Sequence, residues 1–449
     1  MVRLSTSASR SPTAGCARRA NGKCWAAWPA SGPIAPLTPR ILETFPHPLS
    51  CGGLPMTFLT RLDDGSLKEG SAPTFALSQR GRAGLEILGA IQIFSSGTLR
   101  PMAAANFEEN PQGRMLGEDH ASPTPAFSER ERIAKARTVC EGDAIYRLER
   151  FFQRYVAEEN FNRGIPAIEE RRAEFLAYDA AMAQSSDETS YASSLTLAED
   201  LAIPAWFAHI EWHLEPGGWD GYDLYGALFA FGVGPYVFSK GGYAAVGIGD
   251  DIVGQRLTTI RQFPKDSYAR IYEPGCGGVS TLKAVHSVFP EAELHGADLS
   301  PLLLKNGARM AARFGFPVHL KQADCATDTG EADASFDGVI TYALHHELPP
   351  KANRSLFDEL FRIMKPGADI VISDPPPFRA VSMFHAVILD WDTLHREEPF
   401  FSPVLHESLD AMLKEAGFEA VESYAIGQDQ YPWITRARKP ESIALEAQT

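Results

Sequence analysis

With 449 residues, 44% of them hydrophobic, the chain is long enough for two or three domains with sizeable cores. A formal charge of −15 disfavours sequence-independent attraction to nucleic acid or to an anionic membrane surface, which leaves small-molecule partners favoured. Six cysteines, at 16, 24, 51, 140, 276 and 325, show neither CxxC pairs nor metal-ligand spacing, so no disulfide framework or zinc site is indicated and a cytoplasmic location fits.

In chain order, residues 1–124 read unlike the rest. Basic Arg3, Arg10, Arg18, Arg19, Lys23 and Arg40 occur before any acidic residue, amid Ser, Ala, Pro and Gly without a period. That composition fits a transit peptide, or a start placed too early with translation beginning at Met102 or Met115. Either way the segment is expected to bury too little apolar surface to order itself. Residues 125–265 are expected to form a helical, aromatic-rich N-terminal domain that covers the substrate or dimerises. Ile145, Leu148, Phe152, Tyr155 and Val156 fall on one helical face. A block from Trp206 to Tyr243 is dense in aromatics and reads as packed core ahead of a binding surface. His209 and His213 stand four apart, but no carboxylate motif completes a metal site, and none is expected. The uncharged stretch 226–239 is too short to span a bilayer, so no membrane span is expected.

Beyond Tyr268 strand and helix signals alternate, the mark of a parallel sheet covered on both faces. Strands are expected at 270–273, 294–298, 318–322, 336–342 and 369–373, with a closing hairpin at 418–426 and 431–437. Ligands of such sheets bind at the carboxyl ends of strands where the strand order reverses. Glu273, Asp298 and Asp324 close successive strands at about 25-residue intervals, and Gly275 and Gly277 follow the first. Two acceptors there can take an amine and a ribose diol, with Asp324 near an adenine edge, so a nucleoside with a small zwitterionic tail is predicted. A dinucleotide fits less well. Its glycine fingerprint needs Gly or Ala at position 280, which is Ser, and Glu273 would repel a pyrophosphate.

On "EPGCGG" (273–278), "GADLS" (296–300), "QAD" (322–324), "FDGVITYALHHELP" (336–349), "RIMKPGADIVISD" (362–374) and "LKEAGF" (413–418), the chain resembles the class I S-adenosylmethionine-dependent methyltransferases. The resemblance runs over about 268–438. It implies an α/β fold, a Rossmann-like, doubly wound, mostly parallel seven-stranded sheet over 266–449, preceded by the helical domain. It implies S-adenosylmethionine as cofactor, with Glu273, Gly275, Cys276 and Gly277 around the methionine moiety. Asp298 would take the ribose hydroxyls, Leu299 would flank the adenine, and Asp324 with Cys325 would meet its amino group. Backbone around Thr341 and Tyr342 would meet the cofactor's ammonium group. Val279 stands where the family usually has glycine.

The expected activity is methyl transfer to the O, N or C nucleophile of a small, apolar or aromatic acceptor. The acceptor would be enclosed by the aromatic block and by an insertion at 378–403. His345 and His346 are candidates to remove a proton from a hydroxyl acceptor, or else belong to a loop that seats the next helix. His385 and His395 are further candidates. "DPPP" at 374–377 follows the fifth strand and its Phe378 comes one place late for an amine-methylating motif, so no role rests on it. Neither nucleic acid nor membrane is an expected partner; a homodimer through the N-terminal helices is. Two other readings stay open: a non-catalytic nucleoside-binding scaffold, and an NAD(P)-dependent oxidoreductase with an irregular glycine loop.

Overall fold

The computed structural model describes residues 77–188, 194–240, 252–427 and 430–441. Eight strands form one sheet: β1 (Ser194–Thr196), β2 (Arg270–Pro274), β3 (Glu293–Asp298), β4 (His319–Gln322), β5 (Phe336–Tyr342), β6 (Met364–Asp374), β7 (Glu419–Ala425) and β8 (Trp433–Arg438). Their order is β1-β4-β3-β2-β5-β6-β8-β7. All pairings from β1 to β6 are parallel, and β8 runs antiparallel between β6 and β7. The chain steps outward from β2 through β3 to β4, then returns to β5 on the other side of β2. The carboxyl end of β2 therefore lies at the switch point where a ligand crevice opens.

Side chains alternate across the sheet as strand geometry requires. Ile271 joins Leu282, Val285 and Leu304 on one face. Its neighbour Tyr272 joins Val339, Leu356 and Phe357 on the other. The helix Pro301–Phe314 begins where the Ser300 hydroxyl accepts from the Leu303 amide at 3.0 Å, and it ends at Gly315, φ +68°.

The expected strands and closing hairpin are present, and four expectations change. The seven-stranded sheet has an eighth strand, because β1 from the N-terminal part pairs with the edge strand β4. The expectation that residues 1–124 stay unordered fails from residue 77 on: helices Gln79–Phe94, Arg100–Glu109 and Pro111–Ala121 bury Leu85, Leu88 and Leu116 completely. Their few apolar side chains suffice because later helices supply the partners, Val156 and Ile168 packing with Leu85 and Leu88. Residues 1–76 lie outside the described residues. The helix Ala144–Glu169 turns a different face inward than its apolar spacing suggests. Leu148 is 41% exposed, whereas Glu149, Arg150, Gln153 and Asn160 are buried with Tyr146 and Val156. Finally, the helices before residue 265 do not form a core of their own throughout. Val387 and Ile388, on the inserted helix Met383–His395, share one with Ile133 and Ala136.

Candidate active site

β2 delivers Glu273 to the rim of a cavity of about 940 Å³ and then turns sharply into the helix Ser280–Val288. Gly275 takes φ +62°, and a Cβ there would stand 2.4 Å from Leu344 Cδ1, so glycine alone fits. Gly277 also has positive φ and open space where a Cβ would stand. Val279, in place of the family's usual glycine, nevertheless adopts the glycine-like φ of +59°. Burial of its side chain in the sheet core, at 0% exposure, holds it there.

Glu273 is 2% exposed, and its Oε2 has no hydrogen-bond partner. Burial pushes its pKa up to about 8, against the opposing pull of Thr281 and Arg256. At the end of β3, Asp298 Oδ2 accepts from the Gly277 amide at 2.9 Å and Oδ1 from the Ser300 amide at 2.8 Å. Burial raises this carboxyl to about 6. Leu299 lies beside it on the cavity wall. Asp324, after β4, lines the same cavity while accepting from the Ala326 amide at 3.1 Å and the Thr327 hydroxyl at 2.7 Å. Cys276 and Cys325 line it too, buried, with thiol pKa values raised by desolvation, to about 12 for Cys325. Both are thus inert lining groups.

The β5 end divides the expected residues. Tyr342 and His346 face the cavity; Thr341 and His345 do not. His345 is fully buried, with Nε2 3.1 Å from the Thr341 hydroxyl, Nδ1 2.7 Å from Asn353 Oδ1, and its ring stacked on Phe357. The catalytic expectation for His345 is therefore corrected: it ties the β5 end to the helix Pro350–Ile363. His346 Nδ1 lies 2.6 Å from Asp374 Oδ1, and its amide donates to Oδ2 at 3.1 Å. Burial opposes charge on this ring, but Asp374 outweighs it and holds the pKa above the usual imidazole value. His385 and His395 are not among the cavity's lining residues.

Trp206, Phe207, Trp212, Trp219, Tyr225 and Phe229 form an aromatic wall of the same cavity. The aromatic block is thus a lining surface as well as core. Asp220 anchors this wall to the cofactor rim, accepting from the Ser300 hydroxyl at 2.7 Å and the Leu302 amide at 3.2 Å. Arg256 lies over the Tyr342 ring at 4.4 Å. Three further residues line the cavity: His213, which the sequence offers only as one of a histidine pair without a carboxylate motif, and Glu347 and Glu398, to which it attaches no role. His213 Nε2 stands 2.8 Å from Glu398 Oε1 and 3.1 Å from Glu347 Oε1. His209 instead bonds Ala205 within its own short helix, at 2.8 Å.

The two raised carboxyls predict a pH effect. A carboxyl whose folded pKa exceeds its ordinary value contributes stability that is present at low pH and lost as pH rises through the folded pKa. For Glu273 the span runs from 4.5 to about 8. The unfolding free energy of the ligand-free chain minus that of Glu273→Gln should therefore fall as pH is raised across that span, as read by urea denaturation at a series of pH values. A flat difference would show that Glu273 ionises freely.

Residues 271–367 match the family described as Methyltransferase domain. An arsenite methyltransferase of Halobacterium salinarum is 29% identical over 154 residues, 32% of this chain; the chain spans about a third (36%) of the length of that curated relative. Among solved structures, phosphoethanolamine N-methyltransferase 2 of Haemonchus contortus, in complex with S-adenosyl-L-methionine, is similar at 16% identity and TM-score 0.33, over 42% of this chain and 52% of that one. A SAM-dependent methyltransferase of Aquifex aeolicus is similar at 16% identity and TM-score 0.31, over 42% and 93%. Residues 271–367, which begin in β2 and take in the glycine turn and the ends of β3, β4 and β5, are thus similar to the methyltransferase domains of S-adenosylmethionine-dependent enzymes.

Proposed function

We propose that the chain transfers a methyl group from S-adenosylmethionine to a small-molecule acceptor held beneath the aromatic wall. The observation that carries this reading is one cavity with two kinds of lining: acidic side chains around a glycine turn, and a set of indole and phenyl rings. The site suits the cofactor. Glu273 keeps a buried carboxylate oxygen without a partner, and Gly277 leaves space where any other residue would put a side chain. Glu273, with backbone at Gly275, Cys276, Gly277, Tyr342 and Ala343, would hold the methionine end, and Thr341, which does not line the cavity, would hold the β5 end in place. Asp298 would hold the ribose diol, and Leu299, Asp324 and Cys325 the adenine. The bound sulfonium supplies an activated methyl group.

What the chain must then do is orient and exclude. Aromatic walls align a flat acceptor and displace water, effects that together lower the barrier by several kcal/mol, on the order of a thousandfold or more in rate. His346, clamped by Asp374, presents a fixed polar edge to the acceptor. The insertion expected to cover the substrate brings Asp392, Glu398 and Phe401 to the cavity, which supports that role. Among the described residues no helix is long and apolar enough to cross a membrane. A cytoplasmic enzyme without nucleic-acid partners, dimerising through the N-terminal helices, completes the proposal. Exposed Phe94, Leu148 and Phe151 on adjoining helices support the dimer.

Incubating the chain with methyl-labelled S-adenosylmethionine and a cell extract should place label in a low-mass compound. Label appearing only in RNA or protein would overturn the acceptor class, and no label above the enzyme-free control would favour a binding scaffold.

A further inference from the structure

The side chains His213, Glu347 and Glu398 come from the segment between β1 and β2, the turn after β5 and the insertion, yet their ligand atoms converge within 4.8 Å of one another. His213 Nε2 lies 2.8 Å from Glu398 Oε1 and 3.1 Å from Glu347 Oε1. Neighbouring ligands on a first-row metal with bonds of about 2.1 Å stand roughly 3.0–3.4 Å apart, close to the two distances from His213. Independently, Glu398 is 3% exposed and its second oxygen has no partner; neither has the second oxygen of Glu347. Leaving a buried carboxylate oxygen unpaired is costly unless a cation satisfies it. Behind the imidazole, Glu215 Oε1 lies 3.6 Å from His213 Nδ1, the place from which a carboxylate orients a metal-bound histidine. A second cluster, Glu293, His295 and His319, is more fully neutralised: Arg270 donates to His295 at 3.0 Å and pairs with Glu293, whereas the cationic neighbour of the first, His346, has Nε2 3.5 Å from Glu347 Oε1 and leaves the second oxygens unpaired.

We propose that His213, Glu347 and Glu398 bind a divalent first-row metal ion such as Mn²⁺ or Zn²⁺ at the acceptor end of the cavity. One imidazole nitrogen and two carboxylate oxygens suit these ions, and all three residues line the cavity. Three protein ligands leave the remaining coordination positions to an acceptor, which favours one offering a metal-ligating oxygen, such as a phenolate or hydroxy acid. That last step rests on the methyl-transfer reading; the ion site itself does not.

The test uses the full chain, stripped with EDTA and dialysed, titrated with Mn²⁺ and followed by the spin resonance of the free ion, with Zn²⁺ as competitor. One ion per chain is expected, with Glu398→Gln and Glu347→Gln each weakening binding at least about tenfold. S-adenosylhomocysteine binding is measured in parallel on every sample. Homocysteine-adduct binding retained in the two variants shows that they fold; should one variant lose it, the other carries the comparison. Absence of Mn²⁺ and Zn²⁺ binding at millimolar concentration, or binding unaltered by both substitutions, overturns the metal site. Loss of S-adenosylhomocysteine binding by the unsubstituted chain would overturn the methyltransferase reading instead.

Discussion

Asp298→Ala should weaken S-adenosylhomocysteine binding by about two to three orders of magnitude while the sheet stays folded. In the proposed role the carboxylate accepts from both ribose hydroxyls, and hydrogen bonds to a charged acceptor contribute roughly 1.5–3 kcal/mol each. The same side chain already accepts from the amides of Gly277 and Ser300, so it also fixes the turn around the methionine end. Its removal thus costs contacts and pre-organisation together. Asp298→Asn should fall between the two, because one oxygen remains while the new amide group faces a backbone N–H donor. Calorimetric titration at pH 7.5 checks both, since Asp298, at about 6, is then ionised. Unchanged affinity in Asp298→Ala would remove the ribose assignment.

The second large effect concerns stability and lies away from the cavity. Glu149 is fully buried; its Oε1 accepts from Arg100 Nε at 3.0 Å and from Arg150 Nη2 at 2.7 Å. Burial alone would raise the carboxyl pKa, but Arg150 and Arg100 outweigh it and keep it below its ordinary value. Glu149→Ala leaves the two buried guanidiniums without the carboxylate that bonds both, with Asp392 as the remaining nearby counter-charge, which should destabilise the chain by about 3–5 kcal/mol in urea denaturation. The loss should reach the active site as well. One turn further along the same helix Gln153 accepts from Arg396, at the end of the inserted helix and two residues before Glu398. A change below about 1 kcal/mol would mean that the pair is dispensable, as solvent-screened surface pairs are.

The C-terminal half was legible because its signals are local. Glu273, Asp298 and Asp324 each sit at a strand end, and the β-strands from 270 to 374 appear within a few residues of their expected positions. Buried parallel strands carry dense apolar runs, and Ser300-Pro301 and Gly315 mark helix ends by well-understood backbone chemistry. The N-terminal half hid its organisation for a different reason. On the helix Ala144–Glu169 the buried side is made of Glu149, Arg150, Gln153 and Asn160, so apolar periodicity pointed to Leu148 and the wrong face. Such a polar core depends on distant partners, Gln92, Arg100 and Arg396 among them, which no local pattern announces. The site shows the same division. The residues proposed for the cofactor lie at the ends of consecutive strands and could be read; His345 and His346, adjacent on the single turn after β5, part company, one bonded to Thr341 and Asn353 in the core and the other to Asp374 beside the cavity. The acceptor end, with His213, Glu347 and Glu398, is assembled from three segments and emerges only in three dimensions.

The central claim is that the carboxyl ends of β2, β3 and β4 enclose an adenosyl cofactor. Calorimetric titration of the full chain with S-adenosylhomocysteine at pH 7.5, beside NADH as control, addresses it most directly. The account predicts saturable binding of one S-adenosylhomocysteine per chain and no heat from NADH; NADH binding in its place, or no binding of either, would contradict it.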